Sequence, residues 1–311
     1  MQKTLIIIVV LLSGLTSSVS AGKYAAEFLT TGVGGRALGM GGAFVAIADD
    51  ASATYWNPAG LTQLDRAELM LMHAEQFSGL LQTDVFNFVY PGKKYVIGLN
   101  YIRIGVDNIP YTSRRDLAGR PVIDKHVSDY EEAAFFSLGA LLGQRLSLGV
   151  NFKAIRQSVG ENSSLGFGFD VGLLYKWKAW SLGVNLQDIT GTYIFWDTGH
   201  RDTRSPGVQI GAGYKKSLDF LRSSICLSLQ QNIRFEGQNI GSQISFGEAA
   251  NGDFAGGIEY TLLERLSLRI GSTSSNLALG AGVTIKMLRF DYAYMSHDLG
   301  NAHRVAAAFR F

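Results

Sequence analysis

The feature that most limits this chain is a two-residue alternation of apolar and small polar side chains, kept up over many segments. Over 145–157, Leu146, Leu148, Val150 and Phe152 share one face, and Ser147, Gly149, Asn151 and Lys153 share the other. Over 163–176, Leu165, Phe167, Phe169, Val171, Leu173 and Tyr175 oppose Gly166, Gly168, Asp170 and Gly172. Trp180, Leu182, Val184 and Leu186 oppose Ser181, Gly183, Asn185 and Gln187, and Val305, Ala307, Phe309 and Phe311 oppose Arg304, Ala306, Ala308 and Arg310. Successive side chains of a strand point to opposite faces, so each segment reads as a strand with one apolar face. A soluble β-sandwich alternates as well, but its strands run to about 5–6 residues, against about 9–11 for a tilted membrane strand. The other face here is glycine and small polar residues with single charges, whereas a water-facing sheet carries more Lys, Glu and Thr. Such a face suits a lumen that holds something.

The alternation predicts strands at 67–77, 81–91, 94–106, 130–142, 145–158, 163–176, 179–188, 207–216, 223–235, 252–262, 265–273, 277–286, 288–296 and 303–311. That makes fourteen, and single-chain bacterial barrels have an even number. The connections sort by end. Those at 91–94, 142–145, 176–179, 216–223, 262–265 and 286–288 are short, and 106–130, 188–207, 235–252 and 296–303 fall at the opposite end. Short periplasmic turns and longer outer loops are the rule for such barrels. The expected fold is therefore all-β: a transmembrane antiparallel barrel in the cell outer membrane, with outer-membrane lipid around it. Phe311 then closes the last strand on the periplasmic side, where a terminal aromatic serves as the signal to the barrel assembly machinery. Tyr95, Tyr175, Trp177, Trp180, Tyr214, Tyr260, Tyr292 and Tyr294 fit interfacial girdles. The register is least defined at 67–77, where His73 and Glu75 share a face with Leu69 and Leu71, and at 130–142, which opens on Glu131 and Glu132.

Composition narrows the partners. A net charge of +2 over 311 residues gives no concentrated basic face for nucleic acid. The single cysteine, Cys226, excludes an internal disulfide and a Cys/His metal framework. Lys3, the apolar run 5–15 and the small residues Val19-Ser20-Ala21 read as a cleavable signal peptide over 1–21, so the mature chain begins near Gly22. No later run is apolar for eighteen residues, so no transmembrane helix is expected. The remaining units are a hatch or plug over 22–66 and the barrel over 67–311.

The stretch 31–61, TGVGGRALGMGGAFVAIADDASATYWNPAGL, has neither a long helical period nor a long alternation. Gly39, Gly41 and Gly42 mark tight turns and close backbone approach; the run lacks the Lys-Ser/Thr of a phosphate loop. Asp49 and Asp50 could hold a cation or cap a short helix over 51–56, and the cap is the reading taken. Asn57, Pro58 and Gly60 end the segment, and Phe44, Tyr55 and Trp56 are candidate contacts for a hydrophobic ligand. Lumen-facing charges are expected at Lys153, Asp170, Lys215, Arg234, Glu259, Arg269, Arg289, Asp291, Arg304 and Arg310, forming an interior network that holds the plug or tunes a pore. The histidines His73, His126, His200, His297 and His303 have no metal spacing, and Ser296-His297 has no assignable acidic partner. Neither an enzyme nor a cofactor nor a metal site is expected.

The residues Gly34-Gly35-Arg36-Ala37-Leu38-Gly39-Met40-Gly41-Gly42-Ala43-Phe44, with Asp49-Asp50 and Asn57-Pro58-Ala59-Gly60, resemble the PorV/PorQ family, which is similar to the wider FadL-like superfamily. The resemblance implies a fourteen-stranded barrel closed by an N-terminal hatch, and no catalytic residues. It implies a role with type IX secretion components, or in attaching secreted cargo at the surface. A FadL-like passive channel for hydrophobic small molecules is the alternative, and a structural outer-membrane barrel the third.

Overall fold

The computed structural model describes residues 25–219, 222–235, 244–245, 251–274, 276–296 and 300–311. The signal peptide, the start near Gly22 and His297 lie outside them.

The chain is a closed antiparallel barrel of fourteen wall strands with few helices. They are β1 (Glu68–Gln76), β2 (Leu81–Pro91), β3 (Tyr95–Tyr111), β4 (Lys125–Leu141), β5 (Leu146–Val159), β6 (Asn162–Trp177) and β7 (Trp180–Gln187). Then follow β8 (Gly207–Leu218), β9 (Ser223–Arg234), β10 (Asn251–Leu262), β11 (Leu266–Thr273), β12 (Leu277–Ile285), β13 (Leu288–Met295) and β14 (Ala302–Arg310). Each pairs with its sequence neighbours, and β14 closes on β1 from Glu68↔Arg310 to Glu75↔His303. Closure leaves no open edge, so every wall strand has two partners. We call the end holding Glu68 and Arg310 the terminal end, and the other the loop end.

Two stretches differ from the alternation-based reading. β3 and β4 run on to Tyr111 and from Lys125, and a small hairpin, Arg114–Arg115 with Pro121–Val122, tops them. Asp124 ties its base, accepting from Ser113 N (2.7 Å), Ser113 Oγ (2.6 Å) and Arg114 Nε (2.6 Å). Beyond the wall both faces meet water, so the apolar alternation stops while the hydrogen-bond ladder continues. The segment 188–207 also carries strands. β7 breaks at Asp188 and Gly191, both with positive φ (53° and 73°). Thr192–Trp196 then pairs with the loop-end half of β6, and Arg201–Arg204 leads back into β8.

Residues 25–66 lie inside the ring of strands as short turns and helices: Glu27–Thr30, Gly35–Gly39, Ala53–Trp56 and Pro58–Gln63. Glycines of the wall make room for them. A Cβ on Gly149 would sit 2.1 Å from the Pro58 carbonyl carbon, and one on Gly271 2.1 Å from that of Met40. On Gly183 it would meet the Val45 carbonyl oxygen at 2.3 Å, and on Gly172 the Asn57 side chain at 2.2 Å. These glycines belong to β5, β11, β7 and β6, so inner backbone touches wall backbone around the circumference. The apolar core lies between the two, with Val33, Leu38, Met40, Phe44, Trp56 and Leu61 meeting Met70, Val85 and Ile102 of the wall.

Candidate functional site

The inner segment is held to the wall by two charge networks. The first is at the terminal end and centres on Arg36, which the helix Gly35–Gly39 aims at β10. Arg36 Nε and Nη2 donate to the two Glu259 oxygens (2.8 and 2.9 Å), and Nη1 reaches Asp49 and Asp50. Arg269 joins Glu259 (2.6 Å) to Asp291 (2.7 Å), and Arg289 joins Asp291 (2.7 Å) to Asp50 (3.0 Å). Lys215 pairs with Asp49 (2.9 Å), and Arg310 with Glu68. Burial alone would raise the Asp49 carboxyl; Arg36 and then Lys215 outweigh it and hold it well below the usual carboxylate range. Asp50 is likewise lowered against its burial, by Arg289 and Arg36.

Asp49 and Asp50 thus do not cap a helix over 51–56. The helix is Ala53–Trp56, its N-cap is Ser52, and no side chain caps it. Asp50 Oδ1 does accept the Ser52 N–H (3.0 Å), closing a local turn. Asp49 is engaged by Arg36 and Lys215. The ion pairs win because a buried carboxylate needs a full countercharge.

The second network sits at the break in β7. Lys153 bridges Asp170 (2.7 Å) and Asp188, and Arg204 Nε donates to Asp188 Oδ2 at 3.0 Å. Arg204 also donates to the Ala26 carbonyl (2.7 Å), and Arg234 reaches Glu27 (3.4 Å). The start of the inner segment is thereby tied to the wall where the strand is interrupted. Arg304, at 4% exposure, behaves differently: its Nη1 is buried and makes no hydrogen bond among the described residues.

The other candidate residues hold the segment's shape. Gly41 and Gly42 adopt positive φ (67° and 76°), and Gly39 Cα lies against Gly280, where an added Cβ would be 3.0 Å away. Asn57 donates to Val45 O (2.8 Å) and Leu173 O (3.1 Å) and caps the turn Pro58–Gln63 by accepting from Ala59 N. A Cβ on Gly60 would press on Ala48 O at 2.2 Å. Phe311 sits beside Phe309 (ring centroids 5.4 Å) at the terminal end and donates its N–H to Ala67 O.

Two cavities flank the segment. One at the loop end, about 370 Å³, is lined by Leu29, Leu38, Tyr55 and Trp56 from below and by Arg234 and Arg304 from the wall. One at the terminal end, about 440 Å³, is lined by the Arg36 network. Tyr55 and Trp56 stack edge to face (5.0 Å, 80°) and donate to Leu29 O (2.6 Å) and Val33 O (2.8 Å). Phe44, fully buried against Trp56, is not among the lining residues of either cavity, unlike the ligand-contact role the sequence suggests.

Arg36, Glu68, Asp188 and Arg204 escape the sequence reading. Arg36 had a signal: it is the lone cation in 31–61, the stretch that holds Asp49 and Asp50. Asp188 and Arg204 had none, since they flank a break that alternation cannot register.

Comparison with solved structures returns barrels of the same fold. The Pseudomonas putida toluene transporter TodX matches with a TM-score of 0.58 and 11% identity, over 90% of this chain and 99% of that one. A TodX monoaromatic hydrocarbon channel variant matches at 0.57 and 10%, over 89% and 98%. A Pseudomonas aeruginosa FadL homologue matches at 0.55 and 13%, over 88% and 97%. No curated protein matches the sequence. Residues 13–187, more than half of the chain, match the Uncharacterised protein family (UPF0164), and the chain belongs to that family.

Proposed function

We propose that the protein is an exported outer-membrane channel of FadL type, passing small hydrophobic solutes, with residues 25–66 as its hatch. The observation that carries this reading is the loop-end cavity, whose apolar and aromatic floor is made by Leu29, Leu38, Tyr55 and Trp56 of the inner segment. Most of the rest of its lining is polar, with Gln187, Arg204, Gln209, Asn232, Arg234 and Arg304, so the apolar floor is the part a hydrophobic solute would rest on. The hatch separates this cavity from the one at the terminal end, so passage to the periplasm requires it to shift. The likeness to TodX, a toluene transporter and monoaromatic hydrocarbon channel, lends support to the solute class.

The test is uptake of labelled toluene by cells with an intact outer membrane that lack other hydrocarbon channels. Expression of the chain should raise the initial rate severalfold. No increase with the chain present in the outer membrane overturns the reading.

A second reading, a PorV/PorQ-type role with type IX secretion components or cargo, is favoured by one feature. The β3–β4 hairpin projects beyond the wall, and Asp124 ties its base, giving an outer surface a partner could meet. Pull-down through a tag in residues 112–124 should recover secretion components or exported cargo under this reading, and none under the channel reading.

A further inference from the structure

The outer face of the wall is not uniform. On β6 the outward residues from Tyr175 up to Leu165 are apolar without interruption. On β1 only Leu69 and Leu71 precede His73 and Glu75, all four facing outward. The neighbouring strands follow suit: Asp84 and Gln82 face out on β2, and His303 on β14. Register joins the polar residues into a row, His73↔Asp84↔Arg103↔Glu132↔Arg156, across β1 to β5. Strands in such barrels tilt by about 35–45°, so a row perpendicular to them climbs around the wall. Its low end, His73 with Asp84, lies where β6 still shows apolar rows. His73 Nδ1 is 2.7 Å from Asp84 Oδ1, and both side chains are more than half exposed. Below them is a hollow of about 430 Å³ between Leu71, Phe86, Tyr101, Val305 and Ala307.

Ionisable groups facing acyl chains are costly, and where they occur they mark function. We infer that this β14–β1–β2 wall faces a second copy of the chain rather than lipid, an inference that rests on the outer-membrane reading above. The occupant follows from the charge pattern. Acids (Glu75, Asp84) and bases (His73, His303, Arg103) alternate within the patch, so it complements itself and not a surface of one sign. A two-fold interface brings the same patch together with itself. An axis along the membrane normal between β1 and β2 sets His73 of each copy opposite Asp84 of the other. It also sets Phe86 of each copy toward the Leu71 floor of the other's hollow. The second ring nitrogen of His73, 3.8 Å from Glu75 Oε1 of its own copy, then also faces Asp84 of the neighbouring copy.

The experiment is cysteine cross-linking in cells, in a Cys226→Ser background, with a short bismaleimide. Leu71→Cys should give a product of two chains by mass, at least tenfold above Phe167→Cys on the far wall. His73→Asp should abolish it, and His73→Asp with Asp84→His should restore it. Equal yields at the two walls, an unchanged yield in His73→Asp, or a product with a different protein overturns the pairing. Absence of the chain from the outer-membrane fraction overturns the membrane reading, and the pairing with it.

Discussion

Gly149 of β5 lies against Pro58 of the inner segment so closely that a Cβ would stand 2.1 Å from the Pro58 carbonyl carbon. Backbone cannot yield as a flexible side-chain tip can. Gly149→Ala should therefore destabilise the docked segment by about 1–3 kcal/mol, the range of overpacking. Gly143→Ala, at a turn with nothing within 4 Å, should be neutral. Thermal unfolding in detergent, with protease access to residues 25–66, separates the two.

The two faces of β6 give a sharper contrast. Gly168 points inward, where a Cβ would meet Thr192 Oγ1 at 2.0 Å, while Phe169 points outward and is 46% exposed. Phe169→Arg should impair folding into lipid by roughly 2–4 kcal/mol, as for an arginine near the midplane. Gly168→Arg should disturb the lumen near Thr192 and Lys153. Folding yields in vesicles, compared with yields in detergent, report this: the lipid-specific defect belongs to Phe169→Arg.

Lys153 compensates two buried carboxylates at once, Asp170 and Asp188. Lys153→Met leaves them with less countercharge, and removing one partner of a buried pair costs about 3–5 kcal/mol. The loss should spread through Arg204 to the start of the inner segment, seen as faster hydrogen exchange at 25–33 than at 57–64.

Acid should loosen the terminal-end network. The folded-state pKa of Asp49 lies below its unfolded value of about 3.9, so its stabilisation is full above that value and fades as pH falls below it. Hydrogen exchange across residues 36–56, corrected for its intrinsic pH dependence, should rise between about pH 4 and pH 2. In Asp49→Asn the rise should be smaller and the starting level higher.

The wall was legible in the sequence because one period governs it. Strand bounds such as 81–91 for β2 and 223–235 for β9 fall on or within a residue of Leu81–Pro91 and Ser223–Arg234. The reading failed where that period lapses. The outer reaches of β3 and β4 meet water on both sides, and the hairpin within 188–207 follows a break at Asp188. In the inner segment the types of residue were legible and their partners were not. Asp49 and Asp50 read as a cap because a cap is local, whereas Arg289 is 239 positions from the Asp50 it pairs with. The mixed face of Leu69, Leu71, His73 and Glu75 was visible as an irregularity; its meaning needed the neighbouring strands.

The ring of wall glycines has a consequence for how such a protein can vary. Glycine is the smallest residue, so where Gly149, Gly172, Gly183 and Gly271 touch the inner segment, every point change adds volume and none removes it. Drift at these positions runs in one direction only, toward crowding. Diversity in the interior must then arise in the enclosed segment and at the rims, while the inner circumference stays fixed like the bore of a cylinder around a replaceable piston.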